Sequence, residues 1–188
     1  MKNEVGLMDL SILNERRVYL QPEYLCGVAC VVALRDVLFE RRHFDATSFG
    51  DEVNVLALQT EEGKMMNPIG LESLTEIAKS IGVRSSILYN DHNRLNRQSI
   101  FMLKVCWNPK PRFIDNNNTR NKLIRIQDYH YPLCFMNDDR KTRVWDTSFS
   151  GANYSPWTED VELGELLDCN RASGEKGVLL FEECREER

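Results

Sequence analysis

Six cysteines and three histidines hold most of the nucleophilic and acid–base chemistry open to this 188-residue chain. Cys26 stands in the stretch LQPEYLCGVACVVALRDVL, where Gly27 follows it and an unbroken apolar run begins. A thiol attacks as its thiolate, and a free cysteine is mostly protonated at neutral pH. A helix N-terminus and a neighbouring histidine both lower its pKa. Cys26 has the first of these if the apolar run is a helix that starts there. Cys30, one helical turn later, is the rival thiol, but only Cys26 stands at the start of the run beside Gly27. The alternative for either residue is a small buried hydrophobe.

The thiol needs a base. His43, in RRHF, and His92, in NDHNR, lie in polar stretches and are expected to be exposed. His130, in DYHYPLCFMN, heads an apolar strand, where a core can hold the ring while it faces a cleft. Asp146, in TRVWDTS, is the candidate to orient it. A three-residue loop of Asp138, Asp139 and Arg140 would pair Asn137 with Lys141 and set Pro132 opposite Asp146. Asp146 would then lie diagonally from His130 on one face, about 7–8 Å away at Cα. A two-residue loop would send the two side chains to opposite faces. Gln21, ahead of Cys26, has an amide that can donate to a developing oxyanion alongside the Cys26 backbone N–H. No C-x-x-C pair occurs, and the Cys26/Cys30 spacing has no second pair or nearby histidine, so neither a metal site nor a cofactor is expected.

The elements that would position these groups can be read along the chain. Residues 26–39 are apolar almost all round and read as a buried central helix. Residues 68–82 form a second helix with Leu71, Leu74, Ile77, Ala78 and Ile81 on one face and Gly82 as its stop. Residues 83–88, 99–107, 123–127, 130–136, 142–146 and 177–182 read as strands separated by turn residues. Pro132 lacks a ladder donor, so its strand is expected to be an edge or bulged. A last helix is expected over 158–167, capped by Thr158 with Glu159 and Asp160 in its first turn. Residues 50–67 and 108–121 read as polar loops that would wall the cleft, and 183–188 as a charged tail. Helices first and strands after predict an α+β fold in one domain over 1–188. A helical half, about 18–82, would pack on an antiparallel sheet half, about 83–182, with the cleft between them.

Together, LQPEYLCGVAC, GLESLTEIAKSIGV and HYPLCFMNDDRKTRVWDTSFSG resemble the papain-like cysteine peptidases, in particular their compact C39-like branch. The resemblance covers about residues 18–151. It implies Cys26 as nucleophile, His130 as general base and acid, Asp146 as orienter and Gln21 as oxyanion donor. Josephin-type deubiquitinases and phytochelatin synthases are similar in the same residues, the latter also through DTSFSGANYSPW. The implied function is a thiol hydrolase acting on a peptide or isopeptide amide. The alternatives are an acyl or γ-glutamyl transferase or a glutamine deamidase on the same site, and a catalytically silent binding module of the same fold.

Composition narrows the setting. Apolar residues make up 42% and charged residues 28%, as in soluble globular proteins. With a net charge of −5 and no basic stretch, a nucleic-acid partner is not expected, and Arg16-Arg17 and Arg41-Arg42 read as solvated surface. No apolar segment reaches the roughly 20 residues that span a bilayer, so no membrane partner is expected. The first residues lack a signal-type apolar stretch, and the cysteines read as mostly buried, reduced thiols. Both point to a cytoplasmic protein, with delivery into another cell as an effector the alternative. The expected partner is a protein or peptide substrate.

Overall fold

The apolar run after Cys26 folds as the central helix of the molecule, α2 (Cys26–Leu38), with every residue from Cys26 to Val37 buried. The computed structural model describes residues 10–16, 23–106, 129–137, 141–145 and 161–182. A short helix, α1 (Ser11–Arg16), packs on α2, and a 3-10 turn over Glu23–Leu25 leads into it. α5 (Leu71–Ser80) crosses α2 so closely that a Cβ on Gly27 would lie 2.9 Å from Leu74 Cδ1. It ends as expected at Gly82, whose φ is +83°. Val83 N–H donates to Ala78 O and Gly82 N–H to Lys79 O, the paired bonds of a Schellman stop.

Residues 50–67, expected as loop, are largely helical. α3 (Ala46–Ala57) is capped by Asp45, whose carboxylate accepts from Ser48 N–H at 2.8 Å, and it buries Phe49, Val53, Leu56 and Ala57. α4 (Glu61–Lys64) is capped by Thr60. Gly63 makes this tight junction possible, because a Cβ there would lie 2.0 Å from Ala57 O.

Arg16, expected at the surface, is 1% exposed. Its guanidinium stacks 4.8 Å from the Phe44 ring centroid and bonds Asp36 Oδ2 at 2.9 Å and Arg41 O at 2.7 Å. Asp36 also holds Arg35 at 2.7 Å, and Arg35 reaches Glu52 on α3. Desolvation opposes the Arg35 charge, but hydrogen bonds and charges from Glu52 and Asp36 outweigh it and raise its pKa. These are the pairings a buried charge requires.

Among the described residues eight antiparallel strands follow: β1 (Ser85–Tyr89), β2 (Ile100–Leu103), β3 (Val105–Cys106), β4 (Tyr129–His130), β5 (Leu133–Met136), β6 (Lys141–Trp145), β7 (Val161–Glu162) and β8 (Gly177–Phe181). Six form one sheet in the order β1-β8-β2-β5-β6-β7, and β3 pairs with β4. Side chains alternate between two cores. Ile100, Met102, Leu133, Trp145 and Leu179 join the helical core of α1, α2, α3 and α5. Phe101, Leu103, Cys134, Val144 and Val178 pack with Leu163 and Leu166 of α6 (Leu163–Ala172). Mixed helix and antiparallel sheet make this an α+β fold. The last helix begins at Leu163, later than expected, because Val161 and Glu162 pair with β6. The expected cap Thr158 and the expected strand 123–127 lie outside the described residues. No helix among the described residues is long and apolar enough to cross a membrane.

Candidate active site

Cys26 is the first residue of α2 and is 5% exposed. Its N-cap, Leu25, offers no capping side chain, so the first-turn N–H groups are not taken up by one. The 3-10 turn over Glu23–Leu25 runs straight into α2, and the helix dipole favours negative charge at that end.

His130 ends β4, opposite Val105, and is 4% exposed. The single strands expected over 99–107 and 130–136 are each interrupted. β2 pairs with β5 through Met102↔Leu133, and β3 with β4 through Val105↔His130, so the register keeps step across the break. Lys104 lies in the gap of one strand, and Tyr131 and Pro132 in that of the other. Proline has no N–H for the ladder. Two of the carbonyls at the break find partners from opposite sides. The Cys30 thiol donates to Tyr131 O at 3.2 Å, and Asn170 Nδ2 on α6 donates to Lys104 O at 3.0 Å.

The first of these bonds ties α2 to the chain immediately after His130. Cys26 lies one turn before Cys30, on the same side of the helix. Cys30 is fully buried, with its proton committed to a carbonyl. Both thiols are buried, and of the two it is Cys26 that stands at the helix start.

Tyr131 was not singled out in the sequence, yet it adjoins this site. It is 3% exposed and shares a core cluster with Cys26 and Cys30. Burial foremost, then the charges of Glu175, Cys26 and Glu72, push its phenol ionisation well above the ordinary range. At neutral pH its phenol stays protonated. Its position between a candidate histidine and a proline was the available signal.

The described residues ahead of Asp146, 133–137 and 141–145, pair in the register expected for a three-residue loop. Leu133 pairs with Trp145 and Met136 with Thr142, and Asn137 N–H donates to Lys141 O at 2.8 Å. This is the register on which the diagonal placement depends. Asp146 and Gln21 themselves lie outside the described residues. His43 is exposed as expected, whereas His92 is half-buried against the end of α6. No protein-family model matches the chain, and no curated protein matches it either.

Proposed function

We propose that this chain is a papain-like thiol hydrolase that cleaves a peptide or isopeptide amide. Cys26 is the nucleophile, and His130 takes its proton and returns it to the leaving amine. Asp146 orients the imidazole, and Gln21 with the Cys26 backbone N–H receives the oxyanion. The carbonyl carbon gains the sulfur and loses the amine. His130 then deprotonates a water, which releases the acid and restores the thiol. The scheme uses no metal or prosthetic group. The partner is a protein or peptide substrate, and the reduced thiols fit a cytoplasmic setting.

The supporting observation is the 3.2 Å bond from Cys30 Sγ to Tyr131 O, which ties the helix headed by Cys26 to the residue next to His130. An electrophilic thiol probe followed by peptide mapping tests the reading without a known substrate. Labelling is expected at Cys26, absent in Cys26→Ala, and slowed roughly 100-fold in His130→Ala. Equal labelling of several cysteines, or none in the folded protein, overturns it. Once a substrate is found, product masses separate a cut chain from an amine adduct or a deamidated side chain.

A further inference from the structure

The charge of this chain is concentrated. Residues 51–76 hold six carboxylates, Asp51, Glu52, Glu61, Glu62, Glu72 and Glu76, against one cation, Lys64, for a net −5. Elsewhere 23 of the 29 acidic residues balance 23 of the 24 basic ones, so this segment accounts for the net charge of the whole chain. Arg35 pairs with Glu52 and Lys64 with Glu61. Among the described residues no cation pairs with Asp51, Glu72 or Glu76. The hydrogen bond from Tyr89 lowers the pKa of Glu72 further and keeps it ionised.

The same segment exposes apolar side chains. Val55 is 59% exposed, Leu58 56%, Met65 62% and Met66 71%, four of the six large hydrophobics most exposed among the described residues. A groove of about 500 Å³ starts at the residues that follow Leu58, lined by Gln59 and Thr60 between α3 and α4, Glu72 and Glu76 on α5, and Ile87 on β1. Ser73 donates to Glu62 at 2.9 Å and ties α4 to α5. A Cβ at Gly70 would lie 3.8 Å from both the Glu62 and Glu72 carboxylates, so these two acids flank one backbone position. Tyr89, 51% exposed and bonded to Glu72, extends the rim.

Single exposed hydrophobics are ordinary, but a group of them beside unpaired charge of one sign marks a docking surface. Methionine adds an adaptable apolar contact. The sign of the charge selects the occupant. It repels nucleic acid and anionic lipid, and it opposes pairing of this face with its own copy. We propose that the α3–α5 face docks a cationic segment of a partner polypeptide that carries an apolar stripe. Leu58, Met65 and Met66 receive the stripe, and Glu72 and Glu76 receive Lys or Arg groups on its flank. The inference does not depend on the thiol chemistry.

Binding is measured with Cys26→Ala protein, so that a silent active site and a silent groove give separate results. The probes are three labelled synthetic peptides of one length: Leu/Lys with helical spacing, Ser/Lys of equal charge, and Leu/Glu. Fluorescence anisotropy is expected to detect the Leu/Lys peptide only, with affinity falling as salt rises. The pair Glu72→Gln/Glu76→Gln is expected to weaken binding about tenfold and flatten the salt dependence. The pair Leu58→Ser/Met65→Ser is expected to weaken it by a similar factor while retaining the salt dependence. All four side chains border solvent, and circular dichroism verifies folding. Equal binding of the Ser/Lys peptide, or binding unchanged by both pairs, reduces the face to diffuse charge and overturns the proposal. So does sedimentation that finds a dimer dissociated by Met65→Ser/Met66→Ser, since a second copy would then be the occupant.

Discussion

The two neighbouring cysteines differ because one heads a helix and the other lies a turn inside it. Cys30 supplies the donor for the Tyr131 carbonyl, which lies at a break in the ladder. Cys30→Ala removes that donor from a fully buried position, at a cost of about 1–2 kcal/mol. Urea unfolding is expected to register this loss, with Cys30→Ser milder because it keeps a donor. Both variants should still be labelled at Cys26, and an Ala variant as stable as the parent would mean that the carbonyl has another partner. His92 carries a different signature. Desolvation, reinforced by Arg171 and opposed by Asp91, lowers its pKa below the ordinary 6.5. As pH falls through 6.5 the unfolded chain binds a proton that the folded chain resists, so stability drops between that value and the lower folded pKa. Melting temperature is expected to fall from roughly pH 7 to pH 5.5, and less steeply in His92→Gln. Identical slopes would assign the loss to other groups.

Elements were legible where period and length agreed. α2 and α5 stand out by an all-apolar run and a one-sided stripe, and the strands by alternation between turns. α3 escaped because exposed Val55 and Leu58 blur its stripe of Phe49, Val53 and Leu56, so a helix reads as loop. The start of α6 was misplaced because Val161 and Glu162 owe their conformation to β6, a partner remote in sequence. Arg16 reads as surface for the same reason: its partner Asp36 lies on another helix. Of the candidate site, the helix start at Cys26, the strand position of His130 and the three-residue loop were legible, since each depends on local pattern. The neighbourhood of Tyr131 was not, because it arises from packing between distant segments. The buried link between α1 and α2 has a measurable consequence. Arg16→Ala strands Asp36 and Arg35 in a thinned ion network and removes the stacking on Phe44. Breaking a buried pair this way costs about 3–5 kcal/mol. Arg16→Ala and Asp36→Ala together are expected to lose less than the sum of the two singles. Strict additivity in a double-mutant cycle would mean that the pair is not coupled.

At the scale of the molecule, the last described strand joins β1 to the rest of the sheet. β8 inserts between β1 and β2, pairing Ile87↔Leu179 on one side and Met102↔Leu179 on the other. It also feeds both cores, since Leu179 and Phe181 face the helical layer and Val178 faces α6. The helical layer and the α6 layer are thus joined through a strand some 90 residues beyond the first strand it pairs with in chain order. Burying a Val, Leu or Phe side chain contributes roughly 1.5–3 kcal/mol. The three in β8 are therefore worth about 5–9 kcal/mol, a large part of the 5–15 kcal/mol that holds a typical domain folded. Removing β8 also strips ladder partners from β1 and β2 at once, leaving buried N–H and C=O groups without bonds. A chain ending at Lys176 is therefore expected to lose cooperative unfolding and near-ultraviolet circular dichroism. A chain ending at Glu182 keeps the strand and is expected to melt sharply. A sharp transition in the shorter chain would mean that β1 and β2 close directly on each other, and the sheet order would then owe nothing to its late-arriving strand.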